Sequence, residues 1–249
     1  MTSPWTRTHS VQAGTHPGLL VVCDHASNAV PPELDDLGLS AEHLRRHIAW
    51  DIGALGVAQA LASRFDAELI HCGTSRIAID ANRAPDSPDL ILDRSDGVHV
   101  PGNQHLRPAE RQRRLGHYFR PYHDQIRQSL DQRIARGERP LVLAIHSFEP
   151  VMAGIARPWP IGVLWKLARE PFEPLFAALQ AMNIEVGDNQ PYDGRFAMGY
   201  TLEHHAIGRG LPHAMIELRN NEIADPGRQQ RWATQLADAL ITAGMIAKS

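Results

Sequence analysis

A chain of 249 residues, 43% hydrophobic and 21% charged, has the material for one sizeable core, and a single domain over residues 1–249 is expected. Its net charge of −3 leaves no electrostatic footprint for DNA, RNA or an anionic membrane surface, which points to a small-molecule partner. Cys23 and Cys72 sit inside apolar runs with no C-x-x-C spacing, against a disulfide framework or zinc ribbon; "MTSPWTRTHSVQAG" has no apolar h-region, and no stretch approaches 18 uninterrupted apolar residues. The expected home is therefore the reducing cytoplasm.

In chain order, "LLVVC" (19–23) reads as a buried strand. Ile52, Leu55, Ala58, Ala62 and Phe65 then fall at helical spacing, "AELIHC" follows as a strand, and "SRIAID" (75–80) as another short one. From Pro108, the series Leu115, Tyr118, Phe119, Tyr122, Ile126, Leu130 and Ile134 predicts a long amphipathic helix ending near Gly137. It leads into a strand at 141–145. "IGVLW" (161–165) is the next strand, and Phe172, Leu175, Phe176 and Leu179 mark a helix begun by Pro171. A Gly-rich and aromatic loop, "DNQPYDGRFAMGY" (188–200), precedes a helix around 200–208 and a strand at 213–217. The last helix has Asp225 as N-cap and Pro226 at its first position. Apolar strands separated by amphipathic helices imply an α/β fold whose mostly parallel sheet is covered on both faces, with sites at the carboxyl ends of its strands.

Three apolar runs end on chemically active groups. "GLLVVCDHASN" ends on Asp24 and His25, "PLVLAIHSFEP" on His146, and "LPHAMIELRNN" on Glu217 and Arg219. A single histidine at a strand end is more often a hydrogen-bonded core residue, but two imidazoles converging on one crevice suit a divalent ion such as zinc. His43, His47, His204 and His205 lie on predicted helices and read as surface or packing residues. Glu217 beside a metal is a natural general base, or else an ion-pair partner of Arg219. Arg76, Asn82 and Arg83 lie close together with Asp80, which could lock an arginine into place; guanidinium forks there would clamp a substrate carboxylate or steady an oxyanion. The 188–200 loop reads as a lid contributing Tyr192 or Arg195, although such loops are often plain surface turns.

The stretches "DHASNAVP", "SRIAIDANRAP", "RPYHDQI", "IHSFEP", "NQPYDGRFAMGYTLEHH" and "IELRNN" resemble, in order and spacing from about residue 18 to 240, the motif series of the N-formylglutamate amidohydrolase family. That family is similar to the zinc carboxypeptidases and to the aspartoacylase and succinylglutamate desuccinylase enzymes. The resemblance implies a three-layer α/β/α fold, zinc-carboxypeptidase-like with a mostly parallel mixed sheet, and one catalytic Zn2+. It also implies hydrolysis of the amide bond of an N-formyl or other N-acyl amino acid such as N-formylglutamate. Carried over by motif, His25 and His146 would be metal ligands, Arg76 the carbonyl-polarising arginine, Asn82 with Arg83 the carboxylate-binding pair, and Glu217 the catalytic glutamate. Arg219, Tyr192 and Arg195 would add substrate contacts. The carboxypeptidase-type relatives place a glutamate three residues after the first histidine, where this chain has Asn28. Asp51 is the first choice for the missing ligand, with a helix N-cap as its alternative role, and Asp24 and Asn28 stay open. A zinc peptidase or deacylase acting on another N-acyl amino acid or peptide would use the same residues. A non-catalytic carboxylate-binding protein would keep the fold and lose the metal. A homo-oligomer is left open.

Overall fold

Residues 8–247 are described by a computed structural model, and their elements follow the apolar runs. Strand β1 (His9–Gln12) leads to β2 (Leu19–Cys23), buried throughout. A short α1 (Ala41–Arg45), capped by the Ser40 hydroxyl, comes before α2 (Ala54–Phe65) and β3 (Glu68–Cys72). The two-residue strands β4 (Arg94–Ser95) and β5 (Val98–His99) form a hairpin ahead of α3 (Pro108–Arg114) and α4 (Arg120–Ala135). After β6 (Leu141–Phe148) comes a second small hairpin, β7 (Val151–Met152) and β8 (Ile155–Ala156). Then follow β9 (Ile161–Leu164), α5 (Glu173–Ala181), β10 (Val186–Asp188), α6 (Tyr200–His205), β11 (His213–Arg219) and α7 (Pro226–Thr242).

Among the described residues, seven strands form one sheet in the order β1-β3-β2-β6-β11-β9-β10. The run β3, β2, β6, β11 is parallel, as is β9 with β10; β1 on β3 and β9 on β11 are antiparallel. Side chains alternate between faces with the period of two that a strand imposes. Leu19, Val21, Leu143, Ile145 and Ile216 join Val57, Leu61, Leu179 and Leu236 of α2, α5 and α7 in one core. Leu20, Val22, Val142, Ala144 and Met215 join Tyr122, Ile126 and Leu130 of α4 and Leu202 of α6 in the other. With apolar cores on both faces, these strands read as continuous apolar runs. This is the expected three-layer α/β/α arrangement. No helix among the described residues is long and apolar enough to cross a membrane.

Two expectations are corrected. Residues 75–80 form successive turns and no strand, because side chains capture the backbone donors: Ser75 Oγ accepts from the Ile77 amide and Asp80 Oδ1 from the Asn82 amide. The long helix begun at Pro108 is interrupted by a π turn over Leu115–Phe119. Pro121, which has no amide hydrogen and crowds the carbonyl four residues back, accounts for the break in the ladder. The last helix begins as its sequence predicts, with the Asp225 carboxylate accepting from the Arg228 amide at 2.9 Å and Pro226 at the first helical position.

Candidate active site

The parallel strands β2 and β6 bring their carboxyl ends to the same edge of the sheet, and with them Asp24, His25 and His146. In β11, Glu217 lies in register beside His146 of β6. Both follow the alternation of Met215 and Ala144 and so lie on the α4/α6 face. Asp51 arrives from the segment before α2, tied to the end of β2 by a hydrogen bond from its amide to the His25 carbonyl at 2.9 Å. Its Oδ2 lies 2.9 Å from His146 Nδ1 and 3.3 Å from His25 Nδ1, and accepts from the Ser147 amide at 3.2 Å. One ligand atom from each of His25, Asp51 and His146 lies within 4.8 Å of the other two, and all three residues are buried. Gly53 occupies the N-cap of α2, so Asp51 does not serve as that cap. Asn28 is turned away, donating to the Leu44 carbonyl at 2.9 Å.

The far nitrogens of both imidazoles face carboxylates. His146 Nε2 is 3.0 Å from Asp24 Oδ2, and His25 Nε2 is 2.7 Å from Asp80 Oδ1. Such outer carboxylates fix the tautomer and aim the other nitrogen at a common point. They are held in turn. Asp24 Oδ1 accepts from the Tyr122 and Thr201 hydroxyls at 2.8 and 2.6 Å, and Asp80 Oδ2 accepts from Arg76 Nε and its terminal nitrogen at 3.2 and 2.8 Å. The sequence suggested the Asp80 lock on arginine but not the service of either carboxylate to a histidine. Adjacent strand-end residues point to opposite sides, which is why Asp24 reaches His146 of the next strand and not its neighbour His25.

These contacts set the charges. Burial works against a protonated His146, but the hydrogen bonds it donates to Asp24 and Asp51 hold its pKa well above the ordinary value. Burial likewise opposes the Asp51 charge, which His25 and His146 nonetheless hold far below the usual carboxylate range. Glu217 is different. Burial, helped by the Asp51 charge, lifts its pKa to about 7 against the pull of His146, His25 and Arg76. Its Oε2 is buried with no hydrogen-bond partner among the described residues. His47, unremarkable in the sequence, also lines the site; its buried Nδ1, 3.7 Å from Asp51 Oδ1, has no hydrogen-bond partner among the described residues, and burial lowers its pKa to about 4.

His25, His47, Asp51, Asp80, His146 and Glu217 open onto one cavity of about 640 Å3, whose walls include Arg76, Asn82, Arg83, Tyr192 and Gly199. Another cavity, of about 590 Å3, lies near Gly18, Leu141 and Pro212 at the amino ends of β2, β6 and β11, and holds none of them. Arg76 reaches Asp51 Oδ1 at 3.4 Å as well as Asp80. The Asn82 carboxamide accepts from the Thr201 amide at 3.1 Å. Gly199 at φ +82° packs so closely on that carboxamide that a Cβ there would collide with it. Two of the expected substrate residues lie elsewhere. Arg195 pairs with Asp193 at 2.6 Å and stacks 5.6 Å from the Trp165 ring. Arg219 donates to Glu222 at 2.7 Å and to the Arg157 and Pro158 carbonyls at 3.3 and 2.6 Å. At its end β11 turns into a 3-10 segment, Asn220–Glu222, that supplies this acid partner. Arg157, in no motif of the sequence, lines the cavity instead.

A sequence profile of the N-formylglutamate amidohydrolase family matches residues 18–224, a span that contains every one of these groups. The chain belongs to this family. Membership places it among amidohydrolases. Among solved structures, the gene product Atu2144 from Agrobacterium tumefaciens is 37% identical, with a TM-score of 0.90 and 94% of each chain covered. The N-formylglutamate amidohydrolase from Ralstonia eutropha JMP134 shares the fold at 19% identity and a TM-score of 0.67, covering 94% of this chain and 95% of its own. No curated protein sequence matches the chain.

Proposed function

We propose that the protein hydrolyses the amide bond of an N-formyl or other short N-acyl amino acid, N-formylglutamate foremost, with one zinc-class ion held by His25, His146 and Asp51. The observation that carries this reading is the buried, unpartnered Oε2 of Glu217 in the cavity where the three candidate ligands converge. The donor set fits such an ion. Two imidazole nitrogens and one carboxylate oxygen are a set that open catalytic zinc sites employ. Both Nδ1 atoms meet the same Asp51 oxygen, so the three donors already converge on one point.

When bound, the ion supplies Lewis-acid activation of the attacking water and the acyl carbonyl. Glu217 takes the proton released by the attacking water at its free Oε2, and a pKa near neutrality suits both taking that proton and returning it. It then passes the proton to the amine nitrogen as the C–N bond breaks, giving formate and a free amino acid. Arg76, held by Asp80, donates toward the oxyanion of the tetrahedral intermediate. Arg83, on the cavity wall, grips the carboxylate of the amino-acid half. A carboxylate-binding protein without chemistry would gain nothing from burying Glu217 without a partner, a costly arrangement. The test is elemental analysis of the purified protein together with formate release from a panel of N-formyl amino acids. One bound divalent ion and chelator-sensitive formate release are expected; a protein that takes up no metal and hydrolyses no N-acyl amino acid would overturn the reading.

A further inference from the structure

The cavity presents two arginines, Arg83 and Arg157, that form no ion pair with a carboxylate among the described residues. Arg76 is neutralised by Asp80 and Asp51. Arg83 and Arg157 also line the cavity, yet among the described residues no carboxylate lies within ion-pair reach of either. Asp96 and Asp193, on the same walls, are taken by Arg46 and Arg195, and Asp89 and Glu149 reach neither free guanidinium.

Arg157 is nevertheless held in place. Its guanidinium carbon lies 4.9 Å from the centre of the Tyr192 ring and 5.9 Å from that of Phe148. One terminal nitrogen donates to the Tyr192 hydroxyl at 3.3 Å, and the other meets the Met152 sulfur at 2.8 Å. Its backbone is fixed by the hydrogen bond from its amide to the Pro150 carbonyl at 2.8 Å and by the two Arg219 contacts to the Arg157 and Pro158 carbonyls. Ring faces and a thioether orient a guanidinium without cancelling its charge. The result is a prepared fork lacking an anion, in the same cavity as the catalytic groups. A single free arginine would suffice for the α-carboxylate that every N-acyl amino acid carries. A second one calls for a second anion on the substrate.

We propose that Arg157 is a specificity-determining residue that binds the side-chain carboxylate of an N-acyl dicarboxylic amino acid, while Arg83 holds the α-carboxylate. This rests on the hydrolytic reading of the site and names the residue that would choose among its substrates. It also assigns Arg219 a positioning role behind Arg157.

The test compares zinc-supplied wild type, Arg157→Met and Arg157→Lys on N-formylglutamate and N-formylglutamine, which differ in side-chain charge and hardly in shape. Wild type should prefer the acid. Arg157→Met should lose roughly 10- to 100-fold in kcat/KM on the acid, the scale of a charged hydrogen-bonded pair, mainly through KM, and stay within about twofold on the amide. Arg157→Lys should recover part of the preference. An equal loss on both substrates, or a wild type that does not prefer the acid, overturns the proposal. Calorimetric binding of glutamate and glutamine to the same proteins decides the matter independently of turnover. If no N-formyl compound is hydrolysed, the hydrolytic reading fails, and Arg157 is then judged by whether its removal erases a preference for glutamate.

Discussion

Asp24→Asn isolates the carboxylate behind His146. The substitution preserves size and leaves Oδ1 to accept from the Tyr122 and Thr201 hydroxyls, which bind Asp24 at 2.8 and 2.6 Å. It replaces Oδ2, 3.0 Å from His146 Nε2, with an NH2 donor. An imidazole facing a donor must accept at Nε2, so its proton moves to Nδ1, the nitrogen directed at the proposed ion. Loss of such an outer carboxylate lowers metal affinity by about 10- to 100-fold, or about 1.4–2.7 kcal/mol. The ion-free protein loses something separate. Burial pushes the Asp24 pKa up, but the hydrogen bond and charge of His146, with His25 and Thr201, hold it at about 2 against 3.8. A carboxylate with a depressed folded pKa stabilises the fold above its unfolded pKa, and the contribution fades as pH falls through that interval. At neutral pH a shift of this size corresponds to about 2 kcal/mol, which Asp24→Asn removes. Competition for zinc against a chromophoric chelator reads the first effect. Denaturant unfolding of the ion-free protein at neutral and strongly acidic pH reads the second, and the two proteins should converge in acid. Wild-type zinc affinity in Asp24→Asn would refute the tautomer argument.

Asp51→Ala should weaken zinc binding far more than Asn28→Ala, since Asn28 spends its side chain on the Leu44 carbonyl; the reverse ranking in an equilibrium dialysis series would move the ligand to position 28. Glu217→Gln should cut kcat by about 100-fold or more, the scale of a positioned general base, with little change in fold. In wild type, kcat/KM should fall as pH drops below the Glu217 pKa of about 7, because protonation removes the base; an unchanged acid limb in a still-active Gln variant would show that another group titrates. Gly199→Ala should raise KM and cost more than about 1 kcal/mol of stability, because a side chain at φ +82° is strained and its Cβ meets the Asn82 carboxamide; wild-type melting and KM would contradict that crowding.

The central strands and the last helix are legible because their signals are uninterrupted: five consecutive apolar residues ending on a polar group for β2 and for β6, and a cap followed by proline for α7. The juxtaposition of His25, His146 and Glu217 could be anticipated from the rule that parallel strands end together. Residues 75–80 defeated the same reading. The alternation of Ile77 and Ile79 satisfies a strand pattern, and only the tertiary setting shows Ser75 and Asp80 diverting the backbone into turns. The edge strand β1 is only four residues long and half exposed, too short to stand out. The pairing of Asp24 with His146 and the stacking of Arg157 on Tyr192 join residues far apart in sequence, and no spacing encodes them. Arg219 stands two residues from Glu217 in the same strand, yet Glu222, Asn221 and two carbonyls draw it away from the cavity.

His146 and Glu217 are anchored in paired central strands, whereas Arg157 and Tyr192 belong to excursions, one beyond the β7–β8 hairpin and the other between β10 and α6. The exposed Phe196 on the second excursion and Met152 on the hairpin carry almost none of the core. Loop exchange can therefore alter what enters the cavity without disturbing the pleat that sets Glu217 beside His146, whereas a one-residue insertion within β11 ahead of Glu217 would turn the carboxylate to the opposite layer. Divergence among proteins built on this scaffold should accordingly be concentrated in those two excursions, with new acyl amino acids acquired by remodelling the rim around an unchanged floor.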